Sequence, residues 1–355
     1  MKKLSKLAAL MLALAMCLSL AACAGAGAES TPPAGDNNTQ PAETQPAGDP
    51  GTEATEPAEP ANSGKVFEVG ISQYVTHPAL DKATEGFIDA MNAKLGADGW
   101  HYDLQNAAED VATCGTIANS FVAKNVDLIM ANATPALQAA AAATGDIPIL
   151  GTSVTEYGVA FNIENFSGTV GGNISGTSDL APLDQQAEMI HEWYPEAKTI
   201  GLLYCSKEAN SQYQVDTVQS YLEGMGYECR QYAFSDSNDI QAVCQTASDN
   251  SDVLYVPTDN SAAANTPIID NICRGVTPVF AGEEGICSGC GVATLSISYY
   301  DIGYKTGEMA AQILTGQADI STMAIEYAPE FVKKYNPTIC ADLNVEAPAD
   351  YEAIG

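Results

Sequence analysis

Basic side chains are scarce in this 355-residue chain: 14 Lys and Arg stand against 45 Asp and Glu, for a formal charge of −31, and the arginines are two, Arg230 and Arg274. A surface this acidic has no patch for a phosphate backbone, which excludes nucleic acid as a partner. The acidity reads as a solubility feature of an exported surface. Histidine is almost as rare, with three in all. His101 and His191 fall where a strand and a helix face would put them, and only His77 follows a strand end. With no Ser-His-Asp or Cys-His pairing and no nucleophile elbow, no catalytic residue is expected. Also lacking is an apolar run of membrane-spanning length, since LAALMLALAMCLSLAA falls short of the roughly 20 residues such a helix needs. Metal-site spacing is missing too. CSGC at 287–290 supplies two ligands and no second pair accompanies it, so it reads as a disulfide or two free thiols, and neither metal nor cofactor is expected.

What is present begins with an address. Lys2, Lys3 and Lys6 precede the apolar run, which ends in Leu20-Ala21-Ala22-Cys23, the layout of an export signal over residues 1–22. The LAAC ending resembles a bacterial lipobox, which implies cleavage before Cys23 and a lipid on its sulfur. Loss of the signal removes three lysines and no acids, taking the formal charge from −31 to −34. From Ala24 to Gly64 there is no aromatic and no large aliphatic side chain, so this stretch cannot bury enough surface to offset its ordering entropy. Residues 23–64 are therefore read as an acidic Pro/Ala/Thr-rich tether, a coil of about 35 Å end to end. The expected location is extracytoplasmic, lipid-anchored to the cell membrane through Cys23.

The roughly 290 residues that follow suit two α/β domains better than one core. Their pattern repeats. VFEVGIS, a helix from Ala79 to about Leu95, HYDLQNA, a helix, VDLIMAN, a short helix and IPILGTS are answered by TIGLLYCS, a helix near Gln212 to Met225, ECRQYAFS, a helix, DVLYVPT, a helix and PVFAGEE. Buried runs alternating with amphipathic helices imply parallel sheets built from right-handed βαβ crossovers, hence two similar lobes. VATLSIS (292–298) and the helix from Tyr300 to Leu314 are one strand and one helix too many for the second lobe, and are expected to cross back to the first.

Ligands of open parallel sheets sit outside the strands' carboxyl ends. The residues there are Ser72, Gln73, Asn132, Thr134, Thr152 and Ser153 in the first lobe, and Tyr204, Ser206, Thr258, Asp259, Asn260, Glu283 and Glu284 in the second. Each is also what a helix cap or strand-end turn favours, but convergence from two lobes favours a site.

The runs ISQYVTHPALDKATEGF, GTSVTEYG, NISGTSDLAP, EANSQYQV, YVPTDN, FAGEEG and SYYDIGYKTGEMAAQIL, in order from Ile71 to Leu314, resemble those of bacterial ABC-transporter substrate-binding lipoproteins of the tryptophan/tyrosine type. The resemblance implies a type I periplasmic-binding-protein fold: two Rossmann-like lobes with parallel sheets joined by a three-strand hinge. It also implies an enclosed small amino-acid ligand, aromatic by this group's habit, and docking on an ABC permease. Residues 65–180 with 291–316 are assigned to lobe 1, and 181–290 with 317–355 to lobe 2. The eight cysteines of the folded part depart from the family pattern and leave their redox state open.

Within that frame GNISGTSDLAP becomes an anion cradle. A helix starting near Asp179 to Pro182 would aim free N–H groups at GTSD, with Ser175, Thr177 and Ser178 adding hydroxyls around a carboxylate. Without a Walker lysine or a strand-turn-helix glycine unit, a nucleotide phosphate does not fit. Asp259, after DVLYVPT, is expected to pair with the ligand's ammonium. The ligand-binding set is then Gln73, Thr134, Ser153, Ser175, Thr177, Ser178, Tyr204, Asp259, Asn260 and Glu283. The protein is expected to act as a monomer that delivers its ligand to a permease. A sensory receptor of the same fold, or a binder of an aliphatic amino acid or another small metabolite, remains the alternative.

Overall fold

A computed structural model of the protein describes residues 64–354. The export signal, Cys23 and all but the last residue of the tether lie outside the described residues. The first half runs β1 (Phe67–Gln73), α1 (Pro78–Leu95), β2 (Trp100–Asn106), α2 (Val111–Lys124), β3 (Leu128–Asn132), α3 (Thr134–Ala143), β4 (Ile149–Val154), α4 (Tyr157–Phe161) and β5 (Ile174–Ser178). The second runs α5 (Leu183–Trp193), β6 (Thr199–Cys205), α6 (Ala209–Gly224), β7 (Glu228–Phe234), α7 (Ile240–Asp249) and β8 (Val253–Val256), then α8 (Asn260–Ala264), α9 (Thr266–Cys273), β9 (Val279–Ala281), α10 (Glu284–Cys290) and β10 (Ala293–Ser296). After these come α11 (Tyr299–Leu314), β11 (Glu326–Tyr327), β12 (Val332–Tyr335), α12 (Pro337–Leu343) and β13 (Glu352–Ala353).

Two sheets result, ordered β11-β5-β4-β3-β1-β2 and β13-β12-β10-β9-β8-β6-β7. All pairs between named strands are parallel except β10 with β12. Alternation along each strand divides its side chains between two helical layers. Leu128 and Met130 join Phe87, Met91 and Met309 on the α1/α11 face. Ile129 and Ala131 join Phe121 and Leu137 on the α2/α3 face. In the second lobe Leu202 and Tyr204 pack against α5 and α6, while Leu203 and Cys205 face α7, α9 and α10. Both sheets are covered on both sides, as near-continuous apolar strands require.

The chain passes between the lobes three times: between β5 and α5, between β10 and α11, and between β11 and β12. The lobe assignments read from sequence need correction here. Strand β10 does not cross back; Ala293 pairs with Phe280 of β9 on one side and Tyr335 of β12 on the other, inside the second sheet. Only α11 crosses. Residues 317–328, assigned to lobe 2, belong with lobe 1, where Glu326 pairs with Thr177. The crossing of α11 is fixed by small residues: a Cβ on Gly303 would collide with the carbonyl oxygen of Ala83, and one on Gly86 with that of Tyr300, so α1 and α11 touch backbone to backbone.

A second correction concerns ISGTS, which is the strand β5 and not the approach to a helix. Gly176, at φ +147°, lies so close to the Gly151 carbonyl and the Tyr157 hydroxyl that no side chain fits, and helix α5 begins only at Leu183.

Candidate ligand-binding cleft

The carboxyl ends of both sheets face one another. The lobes are drawn together: His77 Nε2 of the first lies 3.3 Å from Asn260 Oδ1 of the second, and Ala264 of α8 packs on the first lobe's core. At the hinge the Tyr299 hydroxyl, after the second crossing, donates to Asp179 Oδ2, in the first, at 3.0 Å. A small cavity remains between them, walled by His77, Leu80, Asp179, Thr258, Asp259, Asn260, Ala263, Glu283 and Tyr299. Alongside runs a groove of about 650 Å³ between the first turn of α1, the α10 helix and the crossing segments near Ile297 and Pro329. Ala263, Glu283 and Tyr299 wall both.

Of the residues proposed from sequence, Asp259, Asn260 and Glu283 wall the cavity. Thr134 and Ser153 are buried at the ends of β3 and β4, and the Ser153 hydroxyl has no partner. The others are turned elsewhere. Gln73 faces α1, donating to Asp81 and accepting from Thr84. Ser175 donates to the carbonyls of Met323 and Ala324. Thr177 sits in a hydroxyl chain with Thr152 and Thr306, and Ser178 donates to the Thr155 carbonyl. Tyr204 donates to Gln212 and Gln231 on the α6 side. Ser175, Thr177 and Ser178 form no anion cradle, because strand hydrogen bonding and alternation point them into the sheet's own layers.

The charge of the cleft is divided between the lobes. In lobe 1, α1 follows His77 with Pro78 at its first position and no side-chain cap, and α3 follows Ala133 at φ +87°, also without a cap. Both helices leave backbone N–H groups and the positive end of a dipole bare. In lobe 2 carboxylates take those places. Asp259 accepts from Ala262 N at 2.8 Å and Cys205 N at 2.7 Å. Glu283 accepts from Gly285 N and Ile286 N, both at 2.6 Å. Glu208, buried, accepts from Asn260 N and Nδ2 and from Ser261 N and Oγ. Asp259 therefore serves as a helix cap with a backbone donor on each oxygen, which makes it less available for the ammonium pairing expected of it.

Burial pushes the carboxyls of this cavity up: Asp179 to about 6, Glu283 to about 7, and Asp259, with Glu208 adding repulsion, to about 8. The neighbouring hydroxyls of Thr155 and Tyr299 hold Asp179 down against that trend, Tyr299 alone in hydrogen-bonding geometry. No lysine or arginine walls the cavity. The residues that sequence reading left out of the site are His77, Leu80, Asp179, Ala263 and Tyr299; Thr258 stood among the strand-end residues but not in the binding set. Asp179 lay inside NISGTSDLAP but was read as a helix start, and His77 showed only as a histidine after a strand.

The eight cysteines of the described residues are free thiols. Cys287 and Cys290 point to backbone carbonyls of Gly291 and Ile286 within the turns of α10. Burial raises both.

Two doubly wound lobes, three chain crossings and a cavity enclosed at the strand ends define a type I periplasmic-binding-protein fold, the architecture of a solute-binding protein. Comparison with known proteins agrees. Residues 68–350 match the family model described as ABC transporter substrate binding protein. A tyrosine-binding protein of Clostridioides difficile (strain R20291) is 39% identical over 274 residues, covering 76% of this chain and 78% of that one. The ABC domain of Streptococcus pneumonia in complex with L-Trp is 30% identical, with TM-score 0.76 over 80% of this chain and 97% of that one. A ligand-free, open substrate-binding protein with adhesive properties from Clostridium difficile is 37% identical, with TM-score 0.63 over 81% and 99%. The chain belongs to the ABC transporter substrate-binding family and serves ABC transport as an extracytoplasmic binding component. Its lobes superpose better on the L-Trp complex than on the open protein despite the lower identity, in keeping with their contacts across the cleft.

Proposed function

We propose that this protein captures a single zwitterionic amino acid with an aromatic side chain and presents the closed form to an ABC permease. The observation that carries the amino-acid reading is the division of charge in the cleft: uncapped helix starts in lobe 1 against carboxylates in lobe 2 and at the hinge. A zwitterion laid across it meets both, its carboxylate at the N–H groups of α1 or α3 beside Thr134 and Ser153, its ammonium toward Asp179. The aromatic side chain is supported by the groove, which lies within the usual volume range of small-molecule sites, and by the tyrosine-binding and L-Trp-complexed relatives.

Closure brings His77 to Asn260 across the cleft, so the bound shape differs from the open one and gives the permease something to read. The protein works as a monomer, tethered through lipid on Cys23, and does no chemistry on its ligand. Thermal-shift screening of residues 65–355 against the amino acids and common sugars, followed by calorimetry, tests the ligand class. Stabilisation by L-tryptophan or L-tyrosine is expected; stabilisation by a sugar alone refutes it. Cys23→Ser should move the protein to the soluble fraction, and its retention in membranes refutes the anchor.

A further inference from the structure

The cavity's polar atoms are not equally engaged. Asp259 and Glu283 have both oxygens occupied by backbone donors. Asp179 differs, since Oδ2 accepts from Tyr299 while Oδ1 is buried without a partner. His77 is similar: Nε2 lies against Asn260 and Nδ1 is buried without a partner. Buried polar atoms left open in this way cost free energy until something meets them.

What they need follows from a chain of contacts. Asn260 Nδ2 lies 2.6 Å from Glu208 Oε2, a carboxylate oxygen, which fixes the amide with its nitrogen toward Glu208 and Oδ1 toward His77. An oxygen facing His77 Nε2 requires the proton on Nε2. Nδ1 is then a bare lone pair. Both open atoms of the cavity, Asp179 Oδ1 and His77 Nδ1, are therefore acceptors.

We infer that Asp179 Oδ1 and His77 Nδ1 are the paired acceptors of the ligand's ammonium, and that Glu208 and Asn260 select the histidine tautomer that makes His77 one of them. The inference rests on the amino-acid reading of the cleft. His77 stands at the start of α1 in lobe 1 and Asn260 in lobe 2, so the tautomer is fixed only when the lobes meet. Closure and recognition of the ammonium become one event. A primary ammonium, with three N–H donors, can serve both acceptors; a hydroxyl, with one, cannot.

Acid should undo the pairing. The titratable groups facing Asp179 are Tyr299, Tyr157, Glu283, His77 and Asp259; those facing His77 are Asp81 on its own helix and Glu208 across the cleft. Burial lowers the His77 pKa, which keeps the ring neutral at pH 7, and Asp179, raised to about 6, loses its acceptor charge below that pH.

The test is calorimetry on the folded domain with L-tyrosine, its des-amino analogue 3-(4-hydroxyphenyl)propionate and its des-carboxy analogue tyramine. In the wild type at pH 8, L-tyrosine should bind and the des-amino analogue should be weaker by a hundredfold order, as expected when one partner of a buried charge pair is missing. Asp179→Asn should weaken L-tyrosine about thirtyfold or more while leaving the des-amino analogue unchanged or tighter. His77→Phe should weaken the two amines about tenfold and spare the des-amino analogue, with His77→Asn restoring part of the loss. Wild-type affinity for L-tyrosine should fall between pH 7 and 5, while that for the des-amino analogue holds. Equal affinity of L-tyrosine and the des-amino analogue in the wild type, or affinity for L-tyrosine that is flat from pH 8 to 5, overturns the inference without the help of any variant. Binding of tyramine but not of L-tyrosine keeps the ammonium acceptors and removes the amino-acid reading; binding of none of the three removes both.

Discussion

Glu208 touches no part of the cavity, yet the bonding around it makes Glu208→Gln informative. The carboxylate takes five donors: Asn260 N at 3.1 Å, Asn260 Nδ2 at 2.6 Å and Asn210 Nδ2 at 3.3 Å on one oxygen, and Ser261 N and Ser261 Oγ, both at 2.9 Å, on the other. Glutamine has the same shape but one acceptor oxygen, so its amide nitrogen would face two of these donors. Hydrogen bonds to a buried charge contribute roughly 1.5–3 kcal/mol each, which sets the loss of two at about 3–6 kcal/mol. An opposing gain exists. Glu208 repels Asp259, but burial is the larger cause of the Asp259 shift, so removal of the repulsion returns only about 1 kcal/mol. The net destabilisation should be about 2–5 kcal/mol. Urea unfolding at pH 7 without ligand measures it as a lower midpoint at unchanged slope. Ligand affinity should fall too, because the Asn260 amide is no longer held in the orientation that protonates His77 on Nε2. A Gln variant within 0.5 kcal/mol of the wild type, roughly the spread of neutral surface substitutions, would refute the reasoning.

The unliganded protein should lose stability as pH rises from about 5 to 8. Asp179, Glu283 and Asp259 have native pKa values raised to about 6, 7 and 8, so each favours the folded state fully below the unfolded carboxyl range and loses that contribution as pH climbs through its native value. The slope is up to about 1.4 kcal/mol per pH unit for each group within its window, and a flat urea midpoint across that range would contradict the burial assigned to them. Asp259→Asn should lower stability by about 1–2 kcal/mol, since one cap acceptor becomes a donor facing Cys205 N, yet leave affinity within about threefold; calorimetry showing a thirtyfold loss would restore Asp259 as the ammonium partner.

Strand and helix order was legible in the sequence because each element carries its period locally: apolar runs such as LIMAN and LLYC can only be strands covered on both faces, and the intervening stretches show helical spacing. Two lobes followed from length and from the repeat of that pattern. The strand-end rule singled out Asp259, Asn260 and Glu283, all of which wall the cavity. Local signals failed where the partner lay far along the chain. ISGTS has the glycine and hydroxyls of a loop, and becomes a strand because Gly151 on β4 offers a backbone that only Gly176 can approach. The β10 strand carries the same apolar pattern whether it pairs in one lobe or the other; the register with Phe280 and Tyr335 decided it. Charge was equally blind to context: Asp259 and Asp179 both follow strands as acidic residues, but backbone donors from Cys205 and Ala262 fill the first and leave an oxygen of the second open. The sequence by itself determined the order of strands and helices, the two lobes and which strand ends meet, since these depend on composition and period. Which polar atoms in the cleft remain free was decided by tertiary structure alone, because an acceptor is available only after every donor within reach, from either lobe, has been placed.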